Sequence, residues 1–584
     1  MKQILKTVWQ TDKKNFLFIL LLNIGVALTG SISIVMLVPM LDFLQVSVGD
    51  NSTLSLLLQP FAGMDYLQRA LTIILVFVIL LLFRAVLSSV ATVRQNAYLE
   101  TYEKGLRRDI YNAIGSSSWE ILSGKSGSEL IQLIAVQSRQ TRNCLAIMIS
   151  LIASGISALL QIAIALWMSL PVTLVALAVG VGFLLLFRPF LEKSRKYGEQ
   201  AVEVSWKLHR ETQNQLNGIK EIRAYGVEDH HAKLFDEISQ ESYDTNLRAT
   251  QLRVIPQLCY SIAAAVLIAL AFVYSVLILE TGTAQLMVLV YVFSRLWPMF
   301  SSWQGQLQNI QTYVPAFESI RKAVEELTSG TKEAKSHAMA MPFEKEVAFQ
   351  HVHFTYKSSN EEVLHDVSFT LPCGSVTALV GPSGAGKSTT ADLLLGLLQP
   401  SAGQILVDGT ALTDQTLGAW RKAIGYIPQE PLILNTTVRE NLLRFHPEAS
   451  EDDMIDALKR SLAWSFIEKL PKGLDTILGD RGVRLSGGER QRIVLARVLM
   501  DNPKFIILDE ATSALDYESE SFIRETIRSL RNHTTVLIIA HRMATIRGAD
   551  RAVILLNGSI AEQGDLQELL DRKDGYLAGM ITVE

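Results

Sequence analysis

The stretch GPSGAGKST, residues 381–389, has the residue types and the order that grip a phosphate chain. Gly381, Gly386, Lys387 and Ser388 fit G-x-x-x-x-G-K-[ST]. Glycines let backbone N–H groups turn inward around an anion. A helix starting there adds partial positive charge at its N-terminus. Lys387 suits the β- and γ-phosphates and the Ser388 hydroxyl suits Mg²⁺. The candidate contacts are therefore Gly381, Pro382, Ser383, Gly384, Ala385, Gly386, Lys387, Ser388 and Thr389.

A second chemical stretch is FIILDEATSALD, from 505. A buried apolar strand over 505–508 would deliver Asp509 and Glu510 at its carboxyl end, where α/β sheets bind ligands. Asp509 suits the Mg²⁺ shell, and Glu510 suits polarisation of an attacking water. A third stretch, LSGGERQR from 485, has Ser486, Gly487, Gly488 and Glu489 at an expected helix start but no lysine. It reads as half of a phosphate site.

The elements that position these residues are short β runs alternating with helices from 343 onward. SVTALVG, KFIILDE and TTVLIIAH are the clearest strands, and the rhythm indicates a largely parallel sheet. Before 310 the text is different. Apolar runs at about 16–44, 70–93, 144–169, 172–190, 254–279 and 285–303 are long enough to span a bilayer. The first follows Lys2, Lys6, Lys13 and Lys14, and is too long for a signal-peptide core. The stretch 45–68 has no Lys or Arg, whereas 94–142 carries seven. The positive-inside rule places the N-terminus, both long loops and everything after 304 in the cytosol. The long loops, rich in helix formers, read as spans continuing into the cytosol.

The order of motifs resembles the ATP-binding cassette transporters, and the layout of six spans followed by one cassette resembles an exporter-type half transporter. The resemblance assigns ATP and Mg²⁺ to the site. Tyr356 in VHFTYKS falls where the family places an adenine-stacking aromatic. Gln429 in IGYIPQ matches the Q-loop glutamine, which touches Mg²⁺. LSGGE matches the family's LSGGQ loop, with Glu489 where Gln is usual. Asp516 closes the D-loop SALD, and His541 in IIAHR matches the switch histidine. TILGDRG at 476–482 resembles the TxVGExG loop of exporters, with Asp480 where Glu is usual. Singly, a tyrosine, glutamine or histidine in such a place is an ordinary packed or capping residue; the ordered set carries the assignment. SSSWEIL at 116–122 and GIKEIRAYGVED at 218–229 match transverse coupling helices.

The resulting expectation is a membrane α-helical bundle, six transmembrane helices with long cytosolic extensions, followed by an α/β P-loop ATPase cassette. The domains are 1–306, a linker at 307–342, and 343–584. Net charge is −4, which removes the basic field of a nucleic-acid binder. Only 19% of residues are charged and 49% are hydrophobic, which suits a chain partly facing lipid. Cys144, Cys259 and Cys373 form no CxxC pair and read as packed thiols. Arg84 and Arg295 lie deep inside apolar runs, where a charge must face protein or water. They are candidates for an anionic or phosphate-bearing substrate, and LLFRA and RLWP around them resemble stretches of lipid-linked oligosaccharide flippases. The expected partners are a second half transporter, with a homodimer favoured and a heterodimer open, and the lipid bilayer, here a bacterial plasma membrane. An importer on the same fold and an ATP-gated channel or regulatory ATPase are the alternatives.

Overall fold

The computed structural model describes residues 12–35, 65–277 except 169, 283–329, 341–509 except 358 and 360, 534–540, 543–572 and 575–577. Two compact units emerge. One is Met1–Gly115 with Lys125–Thr328; the other is Ser116–Gly124 with Ser329–Glu584.

The first unit is helical. Its elements are α1 (Lys13–Val35), α2 (Tyr66–Gly115), and α4 (Gly127–Gln132), which runs through a π-turn at Leu133–Gln137 into α5 (Ser138–Met168). They continue with α6 (Leu170–Leu186), α7 (Arg188–Asn217), α8 (Ile219–Tyr225), α9 (Glu228–Leu277) and α10 (Thr283–Ser329). The missing number, α3 (Trp119–Ser123), belongs to the second unit. Among the described residues, five helices are long and apolar enough to cross a membrane. The sixth expected span, 285–303, is helical within α10, but the side chains of 283–296 lie outside the description. The long loops are helical, because they lack breakers and continue the spans without a cap. Helix α10 also carries 307–329, and the boundary between the two compact units falls at 328/329.

The bundle core follows from apolar periodicity. Phe16 and Ile19 of α1 meet Tyr98, Leu99 and Tyr102 of α2, Leu145 and Ile149 of α5, and Ile310 of α10. Cys144 is buried in this cluster; Cys373 is exposed, so the packed-thiol expectation fails there. Helices α7 and α10 approach closely at Gly198, where an added Cβ would lie 2.4 Å from the Thr312 carbonyl oxygen. Backbone cannot yield as a flexible side chain does. Gly198→Val is therefore expected to destabilise this unit by about 1–3 kcal/mol, measured as a lower midpoint of thermal unfolding in detergent. An unchanged midpoint would show that the helices separate freely there.

The second unit holds two sheets. Strands β1 (Glu346–Thr355), β2 (Glu362–Pro372), β4 (Ala402–Val407) and β5 (Thr410–Ala411) form an antiparallel sheet in the order β2-β1-β4-β5. Phe349 and Phe369 face each other across it with stacked rings 4.4 Å apart. This sheet was not anticipated from the sequence. The second has the order β10-β9-β3-β8-β7-β6, built from β3 (Val376–Val380), β6 (Ile424–Ile427), β7 (Phe505–Asp509), β8 (Thr535–Ile539), β9 (Arg551–Leu556) and β10 (Ser559–Asp565). It is parallel except for the β9–β10 pair.

Strands buried on both faces read as continuous apolar runs, and successive residues serve opposite cores. Val376, Ala378 and Val380 join Ile506, Ile538 and, from α14 (Gly487–Leu499), Ile493 and Ala496. Leu379, Ile507 and Leu537 join Ala391 and Leu394 of α11 (Lys387–Leu394). Between these helices in sequence lie α12 (Val438–Leu443) and α13 (Glu451–Arg460). The sheet thus separates the helix after the glycine-rich loop from the helix after LSGGE.

Candidate functional site

The parallel register sets the carboxyl ends of β3, β8, β7 and β6 on one edge. The loop 381–386, Asp509 and the approach to Gln429 all emerge there. Two glycines are required sterically. A Cβ on Gly381 would sit 2.2 Å from the Leu555 carbonyl oxygen, and one on Gly386 (φ +98°) would sit 2.6 Å from Leu364 Cδ2. Gly384 has φ +80° with open space at its Cβ position. Lys387 opens α11 with only 5% of its surface exposed. Its Nζ donates to the carbonyl oxygens of Gly381 and Pro382 at 3.0 and 2.8 Å. Those bonds hold the ammonium inside the loop. Pro382, Ser383, Gly384 and Ser388 are exposed, while Ala385 and Thr389 are buried.

Tyr356 is half-buried, packs its ring edge-to-face on Phe354 at 4.8 Å, and shares a hydrogen bond with the Thr389 hydroxyl at 3.2 Å. The expected base platform and the expected phosphate loop are thus tied together. Tyr426, two residues past the start of β6, donates its hydroxyl to Asp509 Oδ2 at 3.1 Å. That bond fixes the carboxylate's orientation. A serine hydroxyl and an oriented carboxylate are hard oxygen donors of the kind Mg²⁺ takes, so Ser388 and Asp509 fit that ion. Gln429 is exposed just beyond β6. Glu510, Asp516 and His541 lie outside the described residues; the strands preceding Glu510 and His541 end at Asp509 and Ile539 on the same edge.

Ser486 is the N-cap of α14 and forms a capping box with Glu489. The Ser486 Oγ accepts from the Glu489 backbone N–H at 3.3 Å, and Glu489 Oε2 accepts from the Ser486 N–H at 2.8 Å. The glutamate in the usual glutamine position thus does a capping job that either residue can do. Among the described residues, the hydroxyl proton of Ser486 meets no acceptor. Among the described residues, no hydrogen bond joins Ser486–Glu489 to the loop 381–389. The two half-sites stay apart within one chain. Asp480 begins a tight turn in which Arg481 has φ +49°.

Several residues around this edge carry no local sequence signal. Asp392, one turn into α11, has its carboxyl pushed up from 3.8 to about 6, first by burial, then by the charge of Asp509; a hydrogen bond from Trp119 opposes the rise. Burial, then Asp509, likewise raises the Tyr426 phenol. Arg497 of α14 is buried, which lowers its guanidinium to about 10. It donates to the carbonyls of Asn441 and Leu432 at 3.2 and 3.1 Å and lies 4.1 Å from the Phe445 ring centre. It ties α14 to the chain just after Gln429.

Asp392 gives a pH prediction. Its folded value exceeds its unfolded value, so the folded state holds the proton more tightly. Its stability contribution is then greatest near and below pH 3.8 and declines as pH rises through about 6. Asp392→Asn is expected to raise the cassette's unfolding temperature more at pH 7.5 than at pH 5, read by scanning fluorimetry without nucleotide. Equal shifts at both values would contradict the burial of this carboxyl.

Of the two arginines, Arg84 lies on an exposed face of α2 with its guanidinium against α1: a Cβ on Gly30 would meet its Cζ at 3.2 Å. The side chain of Arg295 lies outside the description.

Residues 16–299 match the family described as "ABC transporter transmembrane region", and residues 364–513 match "ABC transporter". The heterocyst differentiation ATP-binding protein HepA of Nostoc sp. is 36% identical over 61% of this chain and 59% of its own length. ABC transporter B family member 17 of Arabidopsis thaliana is 33% identical over 70% of this chain, which spans 33% of that protein. A putative multidrug export ATP-binding/permease protein of Staphylococcus aureus is 29% identical over 81% of this chain and 82% of its own. The structure of a bacterial Atm1-family ABC exporter with ATP bound superposes with a TM-score of 0.82 at 24% identity, covering 99% of both chains. The chain thus has the exporter fold, a multi-pass membrane region joined to a nucleotide-binding cassette, and it belongs to the ABC transporters.

Proposed function

We propose that this chain is one half of a dimeric ATP-driven exporter of the plasma membrane. The observation that carries the reading is the pair of separated half-sites. Lys387 and its loop form a complete phosphate cradle, while Ser486 presents an available hydroxyl proton at the start of another helix. Two copies arranged head to tail would bring Ser486, Gly487 and Gly488 of each onto the γ-phosphate held by the other. Two ATP molecules then join the halves, which turns nucleotide binding into closure and hydrolysis into release.

Each residue has a role in this reading. The loop N–H groups and Lys387 bind the phosphates. Tyr356 stacks on the base. Ser388, Asp509 and Gln429 would hold Mg²⁺, which when bound would supply positive charge against the phosphates. Glu510 orients the attacking water and takes its proton, and His541 and Asp516 contact the γ-phosphate side. The exposed apolar residues around α8 support a docking role for that helix: Tyr225 is 81% and Leu216 66% exposed. Gly226, in a left-handed cap (φ +66°), ends the helix sharply. The export direction is supported by the relative named for multidrug export.

The test uses mixed dimers. Lys387→Ala and Ser486→Arg chains each form dimers with both composite sites broken. Co-assembled, they carry one site with both lesions and one intact site. Occlusion of about one nucleotide per mixed dimer, against background in either parent, is expected. No recovery on mixing would place both halves of the site within one chain and remove the reading.

For the cargo, the proposal is an anionic or phosphate-bearing amphiphile met by Arg84 and Arg295. Among the described residues Arg84 has no carboxylate within ion-pair distance. Stimulation of ATP hydrolysis by anionic amphiphiles in nanodiscs is expected to fall in Arg84→Ala and Arg295→Ala. Unchanged stimulation by every anionic candidate would remove this part of the proposal.

A further inference from the structure

Helices α9 and α10 are tied by a bond that a proline makes necessary. Pro256 lies inside α9 and has no N–H for the Leu252 carbonyl four residues back. The Gln308 side chain of α10 supplies that donor, with its Nε2 3.3 Å from the Leu252 oxygen. Residues on either side of this bond line a cavity of about 280 Å³. Thr250, Arg253 and Gln257 come from α9; Ser301, Gln304 and Asn309 come from α10. They straddle the ends of the last two expected spans, 254–279 and 285–303, on the side assigned to the cytosol.

Two of these side chains set the chemistry. Arg253 donates from Nη1 to Asn309 Oδ1 at 2.9 Å and from Nη2 to the Thr250 hydroxyl at 3.0 Å. Both partners are neutral, and among the described residues no acid lines the cavity, so the guanidinium meets no counter-charge there. Gln304 is 1% exposed. Its Nε2 donates to the Phe187 carbonyl at 3.4 Å, but its Oε1 is buried and meets no donor among the described residues. A buried amide oxygen calls for a donor. A group that satisfies both side chains must bring negative charge to Arg253 and a proton to Gln304. An ionised phosphodiester or carboxylate answers the first and has no proton to give. An ammonium answers the second and is repelled by Arg253. A hydroxyl-bearing anion answers both.

We propose that this cavity is a head-group subsite for the exported amphiphile, and that it selects phosphate-bearing head groups rich in hydroxyls, as on a sugar or polyol. The inference rests on the reading of the cargo as an anionic amphiphile and narrows it. The volume suits a head group, while the acyl chains stay in the bilayer. Arg253 takes the phosphate oxygen and Gln304 Oε1 accepts from a hydroxyl.

Phosphatidylinositol and phosphatidylmethanol are matched probes. Both are singly charged phosphodiesters, and only the first has a hydroxylated head. Native mass spectrometry of the full-length protein in detergent gives the affinity for each, and for glycerophosphoinositol, the same head without acyl chains. The parent is expected to prefer phosphatidylinositol about ten-fold. Gln304→Met, which keeps the side chain's length and removes its amide, should erase the preference by weakening phosphatidylinositol alone. Arg253→Gln should weaken both lipids. Equal weakening of both lipids in Gln304→Met would make Gln304 merely structural and overturn the proposal. Equal affinity of the parent for the two lipids would also overturn it, whether or not Gln304→Met folds. Glycerophosphoinositol bound as tightly as the lipid, with the same dependence on Arg253 and Gln304, would uphold the head-group chemistry and give it a soluble source. If neither lipid binds the parent, the anionic-amphiphile reading falls and this inference with it. If both bind equally and lose affinity in Arg84→Ala, that reading stands and only the subsite falls.

Discussion

Lys387→Ala is expected to abolish ATP binding and, with it, hydrolysis. The side chain has two jobs. Its ammonium is the fixed positive charge of the loop, and its two bonds to the Gly381 and Pro382 carbonyls hold the loop's curvature. Alanine removes both and leaves two inward carbonyl oxygens facing the phosphates, where they repel. Loss of one aimed charge-stabilising donor typically costs about 10²–10³-fold in rate. The additional loss of loop shape should carry the variant to background, measured by steady-state hydrolysis in nanodiscs and by equilibrium binding of a fluorescent ATP analogue. Lys387→Arg should not rescue it. The planar fork has no room where the 5%-exposed ammonium sits. A variant that binds ATP normally would show that the loop glycines suffice.

Glu510→Gln is expected to fail differently. Strand β7 is buried through Leu508 and delivers Asp509 to the ligand edge, and Glu510 is the next residue in the sequence. Glutamine keeps size and hydrogen bonding but cannot accept the water's proton. Hydrolysis should fall by about 10²–10⁴-fold while ATP binding persists, so the pair of chains should accumulate in the ATP-joined state. Single-turnover hydrolysis and size-exclusion of the isolated cassette with ATP would show this. A Glu510→Gln protein that turns ATP over at the parent rate would remove the general-base assignment. The two variants together separate binding from chemistry.

The glycine-rich loop and the strand ending at Asp509 were legible in the sequence because local order alone encodes them. G-x-x-x-x-G-K-S specifies a turn that only glycines can make, and the structure explains it through the left-handed Gly386 and the close approach at Gly381. An apolar run ending in Asp-Glu specifies a buried strand with acids at its mouth. The membrane spans were legible because their apolar length has one physical explanation. The capping role of Glu489 was also within reach, since S-x-x-E before an apolar helix is a capping pattern.

Other features had no local signature. The antiparallel sheet β2-β1-β4-β5 comes from pairings between segments far apart in sequence, and β-pairing partners are chosen by register and packing rather than by composition. Asp392 sits in TTADLLLG as one polar residue on an amphipathic helix, which solvation would explain equally well. Only the fold buries it and brings it into the field of Asp509. Arg497 looks like an exposed helix arginine, yet the packing of α14 against the sheet buries it among backbone carbonyls.

Local order in the sequence was therefore enough for the class of architecture and for the candidate chemistry. Glycine-rich loops, acids at the end of an apolar strand and membrane spans are set by residues within a few positions of one another, and their physics is local. Only the tertiary structure decided which side chains surround those groups. Those roles depend on distance and burial, and both arise only when remote elements close on a shared core.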